Sequence, residues 1–291
     1  MRKYLASIGL FVVLFLSCRQ PVTNPPEDTN NPPPNTGSII NHTNFDPAAL
    51  SNAEISAAAA LKVYFEHAST GQDIVGNSVT DSSTGGNFDN SENCGLALLY
   101  AQDHRYLCNR SSYSNGGSTP FPNDYTWFSS HTGLQTTMRS NPGPLTKRNG
   151  FIALSADMRA AVNVAFFKYC WIDAWSGNGD YSTDGAAAAA ADIAALESFI
   201  SANPGITFVF VTMPLERDFS YASREAYNAA IRTHCAANNR WLFDIADLEC
   251  HNDAGVKQTD GNGREIAEAS YVIADGGHLS AAGRLKMAKA Y

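Results

Sequence analysis

Residues 184–214, DGAAAAAADIAALESFISANPGITFVFVTMP, decide how the chain is read. Thr183 or Asp184 can cap a helix, the alanine run carries it to about Ser201, and Asn203-Pro-Gly205 stops it. Ile206–Pro214 is then an apolar run of strand length, rich in β-branched and aromatic residues. A capped helix feeding directly into a fully apolar strand is one unit of an alternating chain.

The alternation extends in both directions. Upstream, a helix over about 150–160 leads into Val162–Cys170, apolar enough for a central strand buried on both faces. Downstream, a helix over 223–238 precedes the strand Trp241–Ile245, and a last helix starts near Ser280. Toward the N-terminus, 47–60 reads as helix and Leu61–Glu66 as a short strand. A polar region rich in Gly, Ser and Asn follows, to about 103, and His104–Arg110 is a candidate second strand. Residues 120–148 read as an irregular, aromatic surface insertion. Strands alternating with helices predict one domain, 46–291, with a parallel sheet and helices on both faces. Reactive side chains of such a sheet gather at the C-terminal ends of its strands. Ser69, Cys170, Pro214 and Asp275 all fall at such ends.

The first 45 residues read differently. Arg2 and Lys3 precede an apolar run, Leu5–Leu16, that is short for a membrane span, as in an export signal. Phe15-Leu16-Ser17-Cys18 resembles a lipobox, which makes Cys18 a lipidation candidate and implies anchoring to the outer membrane or cell surface, with a periplasmic or secreted protein as the alternative. Residues 19–45, rich in Pro, Asn and Thr, are expected to be a disordered tether that holds the domain off the membrane. With 44% hydrophobic and 16% charged residues in 291, the remainder can bury a sizeable core. A net charge of −8 and the lack of a basic patch with interleaved aromatics argue against nucleic acid. Neither CxxC nor HExxH occurs, so no metal or cofactor is expected. Export permits disulfides, with Cys94–Cys108 and Cys235–Cys250 the plausible local pairs.

The chemistry centres on Asp275-Gly-Gly-His278. Of seven histidines, only His278 has an aspartate three residues before it. On a turn, that carboxylate can accept from Nδ1 and leave Nε2 as a base. A base needs a nucleophile, and His67-Ala-Ser69-Thr-Gly71 offers a serine on a small-residue turn. Asp81–Gly85 and Ser112–Gly116 look comparable, but only Ser69 follows a credible strand.

Serine after the first strand, with Asp and His sharing one turn before the last helix, resembles the SGNH (GDSL-type) hydrolases, mostly esterases and lipases. The likeness covers about residues 60–291, and Phe167–Asp173 is similar to a segment of a divergent bacterial branch carrying His-x-Ser-x-Gly. It implies a three-layer, flavodoxin-like α/β/α sandwich with a central parallel sheet, Ser69 as nucleophile, His278 as base and Asp275 as its orienter. It also implies an oxyanion site made by the Ser69 N–H, Gly116 or Gly117, and an Asn after the third strand. Where the family has Gly-x-Asn-Asp, this chain has Lys168-Tyr-Cys170-Trp-Ile-Asp173; one lost oxyanion donor costs roughly 3–4 kcal/mol. Gln72, Asn77 and Asn109 are candidate replacements. The expected activity is hydrolysis of O-acyl esters, glycan-linked ones included; the alternative is a non-catalytic glycan-binding lipoprotein on the same fold.

Further residues invite a role. Cys170 could serve as a thiol nucleophile or as a small core residue. His67 could border the pocket or pack at its turn. Trp171, Trp175, Asp173 and Asp180 could meet substrate or act as loop anchors, as could Trp127, Phe128 and Tyr181.

Overall fold

The computed structural model describes residues 37–59, 61, 63–67, 69–75, 94–105, 143–154 and 156–291. Its strands are β1 (Ile39–Ile40), β2 (Val63–Glu66), β3 (Val164–Phe167), β4 (Thr207–Val211) and β5 (Trp241–Phe243). They form one sheet in the order β1-β5-β4-β3-β2, and every described pairing is parallel.

Period-two alternation sends neighbouring side chains to opposite faces. Tyr64, Ala165, Phe167, Phe208, Phe210 and Leu242 share one core with Phe151, Leu196, Phe199, Tyr227 and Ile231. Phe65, Val164, Phe166, Val211, Trp241 and Phe243 share the other with Ile74, Leu248, Leu279 and Met287. Helices therefore cover both faces, and the fold is a three-layer α/β/α sandwich. The helices, in chain order, are α1 (Asn52–Ala59), α2 (Thr70–Val75), α3 (Gly95–Gln102), α4 (Pro144–Ile152), α5 (Ala156–Ala161), α6 (Asp180–Thr183), α7 (Gly185–Ala202), α8 (Ala222–Asn238), α9 (Ile245–Cys250) and α10 (Ala281–Ala290). Asp184 caps α7 by accepting the Ala187 N–H, and Ser280 caps α10 by accepting that of Gly283.

Several expectations need correction. The domain starts before residue 46: Gly37 donates to the Asn239 carbonyl, β1 pairs with β5, and Phe45 packs on the second core. Two isoleucines suffice to seat that stretch because the sheet edge supplies the hydrogen bonds. The helix expected over 47–60 breaks into a 3-10 turn, Pro47–Ala49, and α1. The helix expected at 150–160 is α4 and α5. Because α4 starts at Pro144 and buries Lys147 and Phe151, the end of the supposed surface insertion belongs to the core. The polar region after Ser69 contains α2 and α3. Of the candidate strand His104–Arg110, His104 and Arg105 lie in a turn and the rest falls outside the described residues. Cys235 and Cys250 are free thiols, since Cys235 packs in the first core while Cys250 lies with Leu215 and Ala246.

The first core contains a polar knot. Buried Asp192 on α7 accepts the hydroxyls of Tyr169 (2.6 Å), Tyr181 (2.5 Å) and Tyr227 (2.9 Å), and Arg148 Nη1 donates to it at 3.0 Å. It ties α4, α6, α7 and α8 to the exit of β3.

Glu66, which ends β2, is buried as well, and Tyr64 donates to its Oε2 at 2.9 Å. Burial pushes its carboxyl up to about 8, against the hydrogen bond from Tyr64 and the charge of Lys147. An unfolded chain loses this proton near 4.5, whereas the folded chain keeps it to about 8. Between those values the folded state binds more protons, so stability falls as pH rises through the window. Glu66→Gln is expected to remove this share of the slope. Denaturant midpoints at about pH 5 and about pH 9 measure it; a variant whose midpoint falls as steeply as that of the wild type would contradict the assignment.

Candidate active site

Ser69 follows β2 by three residues and begins the turn into α2. It has φ 54°, one of two positive-φ non-glycine residues among those described. Such strain in a non-glycine residue persists where the surroundings enforce it. Here it aims the hydroxyl at His278: Ser69 Oγ lies 2.6 Å from His278 Nε2. Across the ring, His278 Nδ1 lies 2.5 Å from Asp275 Oδ2. A carboxylate only accepts, so Nδ1 carries the proton, and Nε2 accepts from the serine hydroxyl.

The Asp275–His278 turn is built from short-range forces. Asp275 Oδ1 accepts the backbone N–H groups of Gly277 (3.0 Å) and His278 (2.9 Å), folding the carboxylate over its own turn. Those hydrogen bonds and the imidazole outweigh partial burial and hold its carboxyl below the usual range. Gly276 has φ 80°, which suits glycine. A Cβ on Gly277 would collide with the Trp171 indole, which meets His278 edge-on at 5.8 Å between ring centroids. The turn is closed by a bridge between Val272 and Leu279 and by Arg217, whose N–H donates to the Gly276 carbonyl at 2.8 Å.

A residue that sequence reasoning passed over fastens the two halves together. Asp73, on α2 four residues after Ser69, accepts the Leu279 N–H at 3.0 Å and pairs with Arg284 at 3.3 Å. Leu279 directly follows His278, so one buried carboxylate couples the serine turn to the histidine turn. Burial raises its carboxyl, opposed by the Leu279 N–H and the Arg284 charge. Only its place in the first turn after Ser69 could have singled it out.

The other candidates divide. Trp171 lies against His278, and Trp175, 41% exposed, packs on Trp171 and donates to Glu216 at 3.3 Å. Asp173 does not face solvent: it is buried, pairs with Lys147 at 2.5 Å and accepts the Cys170 N–H at 2.7 Å. Cys170 is buried too, and its backbone N–H is committed to Asp173. His67 packs on Phe65, and burial pushes its imidazole down to about 3. Tyr181 belongs to the Asp192 knot. Gly116, Gly117, Asn77, Asn109, Cys108, Trp127, Phe128 and Cys18 lie outside the described residues, as does the side chain of Gln72.

No protein-family model matches the chain, and no curated protein matches it. Among solved structures it is similar to a protein from Desulfitobacterium hafniense DCB-2 that is assigned by name to the G-D-S-L lipolytic family. The TM-score is 0.43 at 11% identity, over 79% of this chain and 97% of that one.

Removing one partner of a buried pair strands the other, at a cost of about 3–5 kcal/mol. Asp73→Ala, which removes the carboxylate that Arg284 and the Leu279 N–H share, is therefore expected to cost about 3 kcal/mol in denaturant unfolding. Asp275→Ala, at a carboxylate 42% exposed, is expected to leave the midpoint nearly unchanged. Equal losses from the two substitutions would refute the division into a buried carboxylate that fastens the turns and an exposed one that holds the imidazole.

Proposed function

We propose that the protein is a serine esterase of the SGNH type that cleaves O-acyl esters through an acyl-enzyme on Ser69. The observation that carries this reading is the unbroken chain Ser69 Oγ to His278 Nε2 at 2.6 Å and His278 Nδ1 to Asp275 Oδ2 at 2.5 Å.

The steps follow from that geometry. As Ser69 Oγ attacks the ester carbonyl, its proton passes to His278 Nε2, and Asp275 stabilises the resulting imidazolium. The carbonyl π electrons move to oxygen, and the Ser69 N–H stands ready to receive that charge, with Gly116 or Gly117 the second donor that the family resemblance implies. Collapse breaks the bond to the leaving alcohol, which takes the imidazolium proton. Water, deprotonated by Nε2, then adds to the acyl carbonyl; collapse breaks the bond to Ser69 Oγ, which takes the proton back from Nε2, and the acid leaves. The backbone donor at Cys170 is already used by Asp173, which supports a two-donor site and a modest rate.

Exposed Trp175 and Phe219, 41% and 61% accessible, suit stacking on a sugar ring or acyl chain, and an acylated glycan is the substrate class that fits them. We place the protein outside the cytoplasm on a lipid anchor at Cys18. The committed Cys170 N–H also favours a second reading, a glycan-binding relative that has lost turnover.

Wild-type protein is expected to hydrolyse a short-chain aryl ester. Ser69→Ala and His278→Ala should each lower kcat/KM by at least ~10³-fold, and Asp275→Asn by roughly 10²-fold or more. Hydrolysis that survives Ser69→Ala would remove the mechanism, while saturable glycan binding without turnover would establish the second reading.

A further inference from the structure

At the sheet edge remote from β2, three side chains converge that the ester chemistry does not use. His42 lies just beyond β1, and Asp247 and His251 lie on α9 and at its C-terminal cap. One nitrogen of each imidazole and one carboxylate oxygen all lie within 4.8 Å of one another. Asp247 Oδ2 is 2.6 Å from His42 Nδ1 and also accepts the His42 backbone N–H at 2.8 Å, while Oδ1 is 3.3 Å from His251 Nδ1. The two rings stack at 3.5 Å between centroids, inclined by 12°.

We propose that His42, Asp247 and His251 form a binding site for a late first-row divalent cation, zinc above all, that clasps the entry strand to α9. Two imidazoles and one carboxylate are a donor set that such ions favour, with a fourth position left for water. Three details support the assignment. His251 Nδ1 lies 2.8 Å from the Asp247 carbonyl; donation there fixes the tautomer and keeps the lone pair of the other nitrogen available, as a supporting hydrogen bond does at metal sites. The side chains of His42, Asp247 and His251 retain 24%, 16% and 10% exposure, so an ion can enter. β1 is only two residues long, and a cross-link would reinforce an edge that its pairing holds weakly.

Two neighbours set limits. The Lys286 ammonium donates to the His251 carbonyl at 2.5 Å and repels a dication, which favours moderate affinity. Cys250 Sγ lies 3.4 Å from His251 Nδ1, but its thiol is engaged in donating to the Asp247 carbonyl at 3.5 Å. Motif spacing could not reveal the site, because 205 residues separate His42 from Asp247.

The test uses full-length protein stripped with a chelator and titrated calorimetrically with zinc chloride alone. One ion per chain is expected. His42→Ala and His251→Ala should each weaken binding at least tenfold, while Ser69→Ala and His278→Ala should bind as the wild type does. Circular dichroism verifies that each variant is folded, and cobalt(II) added to the wild type supplies a readout without mutation, with visible bands of a low-coordinate site expected. No saturable zinc binding by the wild type, or zinc binding unchanged in a folded His42→Ala/His251→Ala double variant, would overturn the proposal.

Discussion

The Asp73 carboxylate lies in the first turn after Ser69 and reaches across to the N–H of Leu279, with Arg284 beside it. The serine turn and the histidine turn are 209 residues apart in sequence, and the proposed proton transfer needs them within a fraction of an ångström of their working separation. Packing of short loops does not supply that precision. A charge-assisted hydrogen bond between α2 and the residue after His278 does, because neither partner can shift without leaving a buried polar group short of its hydrogen bond. The positive φ of Ser69, the edge-on Trp171 and the closed Asp275–His278 turn all operate within this constraint.

Beneath the site, the interior is more polar than its strands suggest. Lys147 pairs with Asp173, Lys168 donates to the Tyr169 carbonyl, and Glu249 accepts the Leu215 N–H at 2.6 Å. Burial lowers Lys168 and raises Glu66 and Glu249, all to about 8. These groups clamp the exits of β2, β3 and β4, from which the site loops depart. Asn228 acts likewise, accepting the Met213 N–H and donating to the Met213 carbonyl. Rigid strand exits allow the rim to hold a strained serine.

What could be read from sequence follows physical lines. Phe208–Val211 and Val164–Phe167 are buried on both faces, so a continuous apolar run announced each of them. Asp184 and Ser280 cap helices by a local rule, and both ends were legible. Asp275 and His278 interact within four residues, so their contact needed no fold. β1 was hidden because two isoleucines among Asn, Pro and Thr carry no period. α2 and α4 were hidden because a short helix with Asp73 or Lys147 inside it lacks an apolar stripe, its buried charges being matched by distant partners. Asp73 to Leu279 and His42 to Asp247 are likewise contacts that only the tertiary fold creates.

The proposed chemistry requires His278 to activate the Ser69 hydroxyl. A fluorophosphonate reacts with an activated serine and spares an ordinary one, and peptide mass spectrometry locates the adduct. The expected result is a single phosphonylated residue, Ser69, with labelling abolished by His278→Ala in a folded protein. Folded wild type that remains unlabelled, or an adduct on any other residue, would contradict the account.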